Sequence, residues 1–258
     1  MGRFARGRVL DGSGGILQAE APYCIGSEVY YFREVEDEPR IAAQEVILHA
    51  DDRLVVADKP HGLSVTPAGD RVADTLLARL VRRLGEPRLV PLHRIDRDTA
   101  GLVMFSVDPG TRNCYHALFR DRIISKQYEA LAPALPTLDF PLVHRSRLQR
   151  GQPFFRMQEV PGEANSETAI DVLVRGGPSW RYALQPLTGR KHQLRVHMAA
   201  IGAPILGDAL YPALKDIDAS TAAQTLQLLA RRLAFVDPVD GTMREFHSGF
   251  KFSGPAGV

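Results

Sequence analysis

Cysteine is scarce in this chain of 258 residues, and its two cysteines, Cys24 and Cys114, are far apart and form no Cys-x-x-Cys pair. The sequence therefore predicts neither a disulfide framework nor a zinc site, and it fits a reducing cytoplasm. Long apolar runs are also missing. The N-terminus has no hydrophobic signal core, and no segment approaches the roughly 20 apolar residues of a membrane span. We expect a soluble, cytoplasmic protein with no membrane partner.

An excess of one charge is missing too. The formal net charge is only +2, so the chain is not a polycation of the histone kind. Its arginines and one lysine are instead clustered in sequence, at 79, 82, 83 and 88, at 94 and 97, at 145, 147 and 150, and at 190, 191 and 195. Such clusters suit a phosphate backbone, which supplies sequence-independent affinity. The alternative is that single arginines only solvate the surface.

The hydrophobic pattern predicts a sizeable core, since 45% of the residues are apolar. Helices are predicted at 76–84, where leucines and a valine follow helical spacing, at 111–120, and at 189–200 with His192, Leu194 and Arg195 near its start. Short strands are predicted at 53–57, 102–107, 128–131, 169–174 and 180–187, while 226–230 and 233–236 fit either strand or helix. This alternation indicates an α+β fold with a mixed or antiparallel sheet.

The first 42 residues are expected to form a small β-rich extension, and residues 43–258 the main domain. A strand and Gly-rich turn are predicted over 7–15, a second strand over 29–32, and a linker over 34–40. This unit is similar to the end of an S4-like RNA-binding module whose preceding helical part is missing. The alternative is a β-hairpin that simply packs on the main domain.

The most informative stretch is the segment 93–101, His-Arg-Ile-Asp-Arg-Asp-Thr-Ala-Gly, which directly precedes an apolar run at 102–105. Burying so polar a cluster at the mouth of a core strand is costly unless its members pair or line a cleft. Gly101 is expected to allow a close backbone approach or an unusual dihedral angle. The segment is therefore the first candidate for a functional site.

Two further blocks follow in order, Lys-Gln-Tyr-Glu-Ala at 126–130 and Gly-Arg-Lys-His-Gln-Leu-Arg-Val-His at 189–197, together with Gly-Asp-Ala-Leu-Tyr at 207–211. With the segment 93–101 they resemble the sequence blocks of the RluA-type pseudouridine synthases, which isomerise uridine in RNA. The resemblance covers about residues 45–250. Ile95 replaces the commoner leucine, Ala100 the commoner serine, and Lys191 a frequent threonine or serine. The resemblance implies a largely antiparallel, bisected sheet with flanking helices and an RNA cleft along its middle, and it implies no cofactor.

The resemblance also implies three catalytic residues. Asp96 is the expected nucleophile or base, and three routes stay open: attack at C1′ of the ribose, attack at C6 of the base, or abstraction of the C2′ proton through a glycal. Arg195 is expected to hold that carboxylate ionised and oriented. Tyr128 is expected to lie against the uracil and to take part in proton transfer at C5.

RNA-contacting residues are implied in the same blocks: His93, Arg94, Arg97, Arg190, Lys191, His192 and Leu194. Arg94 is expected to fill the space that an extruded uridine leaves. His93 either contacts phosphate or only hydrogen-bonds its own turn. The expected partner is ribosomal or transfer RNA, and the expected state is a monomer.

Two other functions remain open. One is a catalytically silent RNA-binding protein on the same scaffold, although such a protein would have lost the nucleophile or its cation. The other is a nucleoside- or glycoside-cleaving hydrolase that uses Asp96 and Asp98, which share a face if the segment is extended. Block order favours the isomerase. No metal site is expected, because no cluster of histidine, cysteine and carboxylate residues has ligand spacing in the sequence.

Overall fold

The computed structural model describes residues 4–31, 41–67, 72–215 and 225–252. Within these ranges it contains a short 3₁₀ turn at Phe4–Arg6, three α-helices and thirteen strands. The helices are α1 (Leu76–Leu84), α2 (Arg112–Arg120) and α3 (Gln193–Ala200). The strands are β1 (Val9–Asp11), β2 (Val29–Tyr31), β3 (Val46–Ala50), β4 (Leu54–Lys59), β5 (Val90–Pro91), β6 (Ala100–Ser106), β7 (Ser125–Pro133), β8 (Leu142–Arg150), β9 (Met157–Val160), β10 (Ser166–Val174), β11 (Ser179–Pro186), β12 (Leu228–Val236) and β13 (Met243–His247).

A single large sheet organises the chain beyond residue 41, with strand order β3-β4-β6-β12-β7-β11-β10-β8-β9. Its pairings are antiparallel except for the parallel contact between β6 and β12. One edge of β12 pairs first with β6 and then, over its second half, with β13, so the sheet divides there. The predicted α+β fold with a mixed, largely antiparallel sheet is confirmed.

Gly101 lies at this division, where β6 meets β12. Its φ angle is +112°, and a Cβ atom at this position would collide with the backbone of Ala230. Only glycine avoids both the unfavourable dihedral angle and the collision. The expectation of a close backbone approach and an unusual dihedral angle at Gly101 is therefore confirmed.

Helices cover the sheet in separate clusters. α1 buries Leu76 and Leu80 on one side of β4 and β6, and α2 buries Tyr115 and Leu118 on the other side. α1 begins where Thr75 Oγ1 accepts from the Ala78 amide at 3.2 Å and ends at Gly85, which has a φ of +67°. These contacts explain why the strands of this half are apolar on both faces.

The second half of the sheet is covered by α3. Its residues Leu194 and Met198 pack on Ile170, Tyr182 and Leu184 of β10 and β11. No helix in the described ranges is long and apolar enough to cross a membrane.

Two sequence expectations change in detail. The helix predicted over 189–200 begins only at Gln193, because His192 has a φ of +54° and cannot continue a right-handed helix. The two closing apolar segments become the single strand β12, with an irregularity between Ala230 and Arg232. The linker predicted over 34–40 lies outside the described residues. β1 and β2 pair as a separate two-stranded sheet, as the N-terminal strand predictions require.

Candidate active site

A cleft of about 1280 Å³ opens where the two halves of the large sheet meet. It is lined by the connection from β5 to β6, the start of β7, the turn before α3, and the first residues of α3. All ten residues proposed from the sequence lie along it: His93, Arg94, Asp96, Arg97, Tyr128, Arg190, Lys191, His192, Leu194 and Arg195. Blocks that are about a hundred residues apart in sequence thus share one surface.

Lys59 anchors the loop that carries Asp96. It is fully buried at the end of β4, and its Nζ donates to the carbonyl oxygens of Leu63 at 2.7 Å, Arg97 at 2.9 Å and Pro60 at 3.0 Å. Burial lowers the pKa of Lys59 to about 7. Three carbonyl acceptors match the three N–H bonds of an ammonium group, so this geometry favours the protonated form. The Asp96 loop is therefore tied to the first half of the sheet.

His61 and Thr99 fix the same loop. His61 Nδ1 donates to the Asp98 carbonyl at 2.7 Å, and the Thr99 amide donates to the Asp96 carbonyl at 3.2 Å. The Asp98 side chain turns outward to pair with Arg97 at 2.9 Å. Because the backbone is held at several points, the Asp96 carboxylate is presented to the cleft in a defined position.

Arg195 joins Asp96 to the second half of the sheet. Its Nε and Nη2 donate to the two oxygens of the buried Asp208, at 2.8 Å and 2.7 Å. The remaining Nη1 donates to Asp96 Oδ2 at 3.4 Å. Burial disfavours the charged guanidinium, but its hydrogen bonds to Asp208 and the charges of Asp208 and Asp96 together raise the pKa of Arg195. A permanent cation thus faces the Asp96 carboxylate.

His192 approaches Asp96 from the turn before α3, with Nε2 4.0 Å from Asp96 Oδ1. Burial lowers the pKa of His192 to about 4, although Asp96 acts in the opposite direction, so the ring is neutral at physiological pH. Its Nδ1 lies 2.8 Å from the Tyr211 hydroxyl, which accepts from the Met157 amide at 2.7 Å. When Tyr211 donates to Nδ1, the imidazole proton is on Nε2 and faces Asp96.

Tyr128 lies on β7, between its partners Leu184 on β11 and Ala230 on β12. Its side chain packs against the hydrophobic core that contains Leu194 and Met198 of α3, and it also lines the cleft. Burial, followed by the charge of Asp96, raises the pKa of Tyr128, so its phenol keeps its proton at physiological pH. The side chain can therefore stack on a ring and donate a hydrogen bond.

His93 is held within the fold more than the other cleft residues. Its Nε2 accepts from the Met104 amide at 3.1 Å, and its ring stacks on Phe119 with centroids 4.6 Å apart. Burial lowers the pKa of His93 to about 3, so the ring is neutral. This geometry favours a structural hydrogen bond over a phosphate contact, although the partner lies on β6 and not in the turn that carries His93.

Four of the cations that line the cleft, Arg94, Arg97, Arg190 and Lys191, are exposed to solvent. Across the described ranges, Arg94 and Lys191 have no hydrogen-bond or ion-pair partner, and Arg97 is paired with Asp98. Arg190 Nε donates to the Asn165 carbonyl at 3.1 Å, which leaves its outer nitrogens available. These side chains can bind phosphate oxygens without breaking a buried network.

Three residues of the site received no role in the sequence analysis, namely Lys59, Asp208 and Tyr211. Asp208 and Tyr211 lie in the block at 207–211, and the residue types of this block alone do not indicate what each side chain contacts. Lys59 follows an apolar strand directly, and a lysine beside a core strand is a signal for a buried, paired cation. Their partners are set by tertiary contacts, which spacing alone does not reveal.

One group of potential metal ligands forms in the described part of the chain, although the spacing of its members in the sequence does not indicate it. His144, Glu159 and His197 come together where β8, β9 and α3 meet, although no two are close in sequence. His144 Nε2 lies 2.7 Å from Glu159 Oε1, and both nitrogens of His197 have hydroxyl partners. None of the three lines the cleft.

The chain is similar in sequence to known proteins. Residues 53–200, more than half of the chain, match the family described as RNA pseudouridylate synthase. The chain is 32% identical over 221 residues to the Dual-specificity RNA pseudouridine synthase RluA of Escherichia coli (strain K12), covering 80% of this chain and 94% of that one. It is 30% identical to the corresponding protein of Haemophilus influenzae, covering 84% and 99%.

Solved structures agree with the sequence matches. Human RNA Pseudouridylate Synthase Domain Containing 4 is 27% identical, with a TM-score of 0.63, covering 80% of this chain and 88% of that one. Human RNA Pseudouridylate Synthase Domain Containing 1 shares the fold at 24% identity, with a TM-score of 0.65 and coverages of 83% and 86%.

Proposed function

Because the chain belongs to the RNA pseudouridylate synthase family, and is thus an isomerase, we propose that it converts specific uridines of structured ribosomal or transfer RNA to pseudouridine with Asp96 as the reacting carboxylate. The observation that carries this proposal is the Asp96 carboxylate itself. It is held in a 1280 Å³ cleft against a buried arginine, and a protonated tyrosine from β7 lines the same cleft. Such an arrangement suits a nucleophile or base that acts on a base held in the cleft.

The reaction breaks the N1–C1′ bond, turns the uracil and joins C5 to C1′, after which the proton on C5 must leave. Asp96 either attacks C1′, attacks C6 or removes the C2′ proton, and each route requires an ionised carboxylate. Arg195 supplies the opposing charge, and Asp208 holds Arg195 in place. Isomerisation is redox-neutral, so no cofactor is required.

Tyr128 is proposed to stack on the extruded uracil and to exchange the C5 proton. A phenol whose pKa is raised by burial is a weak acid, so it acts first as a hydrogen-bond donor and platform. Because the Tyr128 hydroxyl already carries a proton, it can take the C5 proton only while it passes its own proton on, for example to the Asp96 carboxylate once that carboxylate is free. The N1 atom released from C1′ gains a proton, so the isomerisation balances.

Extrusion of the uridine is assigned to Arg94, whose exposed guanidinium fills the gap left in the RNA. Arg97, Arg190 and Lys191 are proposed to contact phosphates around the cleft, while His93, His192 and Leu194 shape its wall. The support is their position along one surface and the exposure of the cations.

The partner is proposed to be ribosomal or transfer RNA, bound by a cytoplasmic monomer. The similar Escherichia coli protein is named a dual-specificity RNA pseudouridine synthase, which supports an RNA substrate. Two free, exposed cysteines fit a reducing compartment.

Residues 1–42 are proposed to be an RNA-binding extension of a catalytic domain over 43–258. Their hairpin exposes Tyr23, Tyr30 and Tyr31 at 89%, 53% and 59%, and exposed aromatic rings can stack on unpaired bases. Photo-crosslinking of RNA to these tyrosines tests the assignment. An absence of crosslinks would favour a hairpin that only packs on the main domain.

The catalytic proposal is tested by Asp96→Asn, with Asp98→Asn as its matched control. Asparagine is nearly isosteric but is a poor nucleophile and base, so Asp96→Asn is expected to bind RNA and form no pseudouridine. Asp98→Asn removes the ion pair with Arg97 and one negative charge near Lys59 and Arg195 but leaves the Asp96 carboxylate in place, and it is expected to lower turnover by less than about tenfold. The measurement is pseudouridine formed in RNA from cells that lack the gene.

The outcomes separate the alternatives. Turnover by Asp96→Asn near the wild-type rate would contradict the assignment of Asp96. Equal loss in both variants, with free uracil released by the wild type, would indicate the hydrolase. Binding by the wild-type protein with no conversion of any uridine in total RNA would indicate the silent RNA-binding protein.

A further inference from the structure

A second depression, the outer groove, adjoins the cleft on the far side of the turn before α3. It has a volume of about 590 Å³ and is lined by β8, the turn between β9 and β10, and the turn after α2. Arg122, Leu187, Thr188 and Arg190 line both the outer groove and the cleft. A polymer with one unit in the cleft can therefore continue into the outer groove.

The pleat of β8 places its charged residues toward the outer groove. Ser146 and Leu148 face α3, where Ser146 contacts His197 and Leu148 packs on Val196. Arg145 and Arg147 alternate with them and line the outer groove. The strand thus has an α3-facing side and a basic side.

The outer groove carries a net positive charge, because arginines outnumber carboxylates in its lining. Four arginines line it, at 122, 145, 147 and 190, against two carboxylates at 163 and 167. Arg145 is paired with Glu167 at 2.9 Å. Arg122 and Arg147 have no ion pair or side-chain hydrogen bond to any residue that the structure describes. Like charges held together without partners cost free energy unless an anion joins them.

Backbone strain lies at the boundary of the two depressions. Arg122 has a φ of +59°, a left-handed conformation that residues other than glycine seldom adopt; it closes α2, where the Ile123 amide donates to the Leu118 carbonyl at 3.0 Å. That conformation keeps Arg122 in the short turn between α2 and β7, where it borders both depressions.

The lining of the outer groove also indicates which form of RNA it fits. Among the described residues that line it, none is aromatic, whereas the cleft has Phe119, Tyr128 and Phe155. Single strands are held by bases stacked on aromatic rings, while a paired stem presents phosphates and riboses and hides its bases. A basic groove without aromatic side chains therefore suits a stem.

We propose that the outer groove binds the phosphate backbone of the base-paired stem that flanks the target uridine, with Arg147 and Arg122 as its main phosphate contacts. The proposal rests on the RNA substrate proposed above. It separates two tasks, because the cleft reads the extruded nucleotide and the outer groove positions the stem without reading its sequence.

The test is Arg147→Glu, with Arg82→Glu as its matched control. Arg82 is an exposed arginine on α1 that lines neither depression, and the two changes alter the net charge equally. The probes are a labelled RNA stem-loop with uridine in its loop and the same loop sequence as a single strand. Dissociation constants are measured for both probes over a series of salt concentrations.

Arg147→Glu is expected to weaken stem-loop binding at least about tenfold more than Arg82→Glu does, and to reduce the log–log salt slope by about 1. Binding of the single strand is expected to change less than about twofold. Arg147→Gln is expected to show a smaller loss in the same direction, which guards against an effect of the introduced carboxylate alone.

Two results would overturn the proposal. Equal effects of Arg147→Glu and Arg82→Glu would show a general charge effect, and equal weakening of both probes would show that the outer groove does not distinguish a stem. Failure of the underlying function is distinguishable, because the wild-type protein would then form no pseudouridine in total RNA whatever its affinity for the stem-loop.

Discussion

Arg195 divides its donors between two carboxylates, and this division explains why an arginine is required at this residue. Two nitrogens form a fork on Asp208, and a third reaches Asp96. A lysine ammonium can approach either carboxylate but cannot keep the planar fork and still reach across to the other. The guanidinium thus acts as a rigid link between a structural anion and the reacting one.

Arg195→Lys is therefore expected to lower kcat by roughly a hundredfold or more while the chain remains folded. The reason is that Asp96 loses a fixed cationic partner even though a positive charge stays nearby. Single-turnover rates on unmodified substrate RNA, with circular dichroism as a folding control, provide the measurement. Kinetics close to those of the wild type would place Arg195 outside the reacting site.

Sequence analysis was most informative for residues that occur in contiguous blocks. Asp96, Tyr128 and Arg195 were proposed because each lies in a block whose neighbours restrict its role. Lys59 and Asp208 received no role, because their importance lies in the carbonyls and the guanidinium that the folded chain brings to them. Contacts between side chains that are distant in sequence cannot be predicted from a single sequence.

At the scale of elements, the boundaries follow local rules where a single residue decides them. α1 was predicted at 76–84 and found there, because its spaced leucines have one core to cover and Gly85 ends it. The sequence pattern places the start of α3 four residues too early, because hydrophobic spacing does not reveal the left-handed conformation of His192. The sequence of β12 is compatible with either a strand or a helix, because Arg231 and Arg232 interrupt its apolar residues. Arg231 is accommodated by Glu129 and by the carbonyls of Ser248 and Phe250.

The junction of β6 and β12 provides a prediction at this scale. Gly101→Ala is expected to destabilise the protein by about 3 kcal/mol or more, because the added methyl group meets the Ala230 backbone and the φ of +112° is unfavourable. Gly85→Ala is the control, since Gly85 has a φ of +67° but open space around its Cβ position. It is expected to cost only about 1 kcal/mol. Equal losses in urea denaturation would show that the collision is relieved by backbone movement.

At the scale of the whole molecule, the site depends on long-range order in the sheet. Asp96 and Arg195 are 99 residues apart, and the two halves of the sheet that carry them are joined by β12, which is the last strand but one in the sequence. The alternation of strands and helices predicted the α+β class. The order of the strands and the division of the sheet follow from pairings between distant segments, and only the family resemblance indicated them.

The stability of the whole fold is expected to depend on pH through buried histidines, of which His197 is the clearest case. Its ring is fully buried, with Nε2 near the hydroxyls of Ser146 and Ser166 and Nδ1 2.9 Å from Thr168 Oγ1. Burial, reinforced by His144, lowers the pKa of His197 to about 4, although Glu159 opposes this. In the unfolded chain its pKa returns to about 6.5.

Between these two values the unfolded chain binds a proton that the folded chain does not. The contribution of His197 to the free energy of unfolding is therefore fully present above about pH 6.5 and is lost as the pH is lowered toward 4. At about 1.4 kcal/mol per unit of pKa, His197 alone accounts for a loss of about 2 kcal/mol between pH 7 and pH 5. Aspartates whose pKa is lowered in the fold titrate below this window, so they do not obscure the effect.

His197→Gln removes the titrating group while keeping a side chain that can pair with the three hydroxyls. Urea denaturation at pH 7 and pH 5 is expected to show that the variant loses about 2 kcal/mol less than the wild type over this interval, whatever its stability at pH 7. His247→Gln, at an exposed position on β13, is expected to keep the wild-type dependence. Parallel behaviour of the wild type and His197→Gln would mean that His197 is already protonated in the folded protein, with Glu159 and the hydroxyls as its partners.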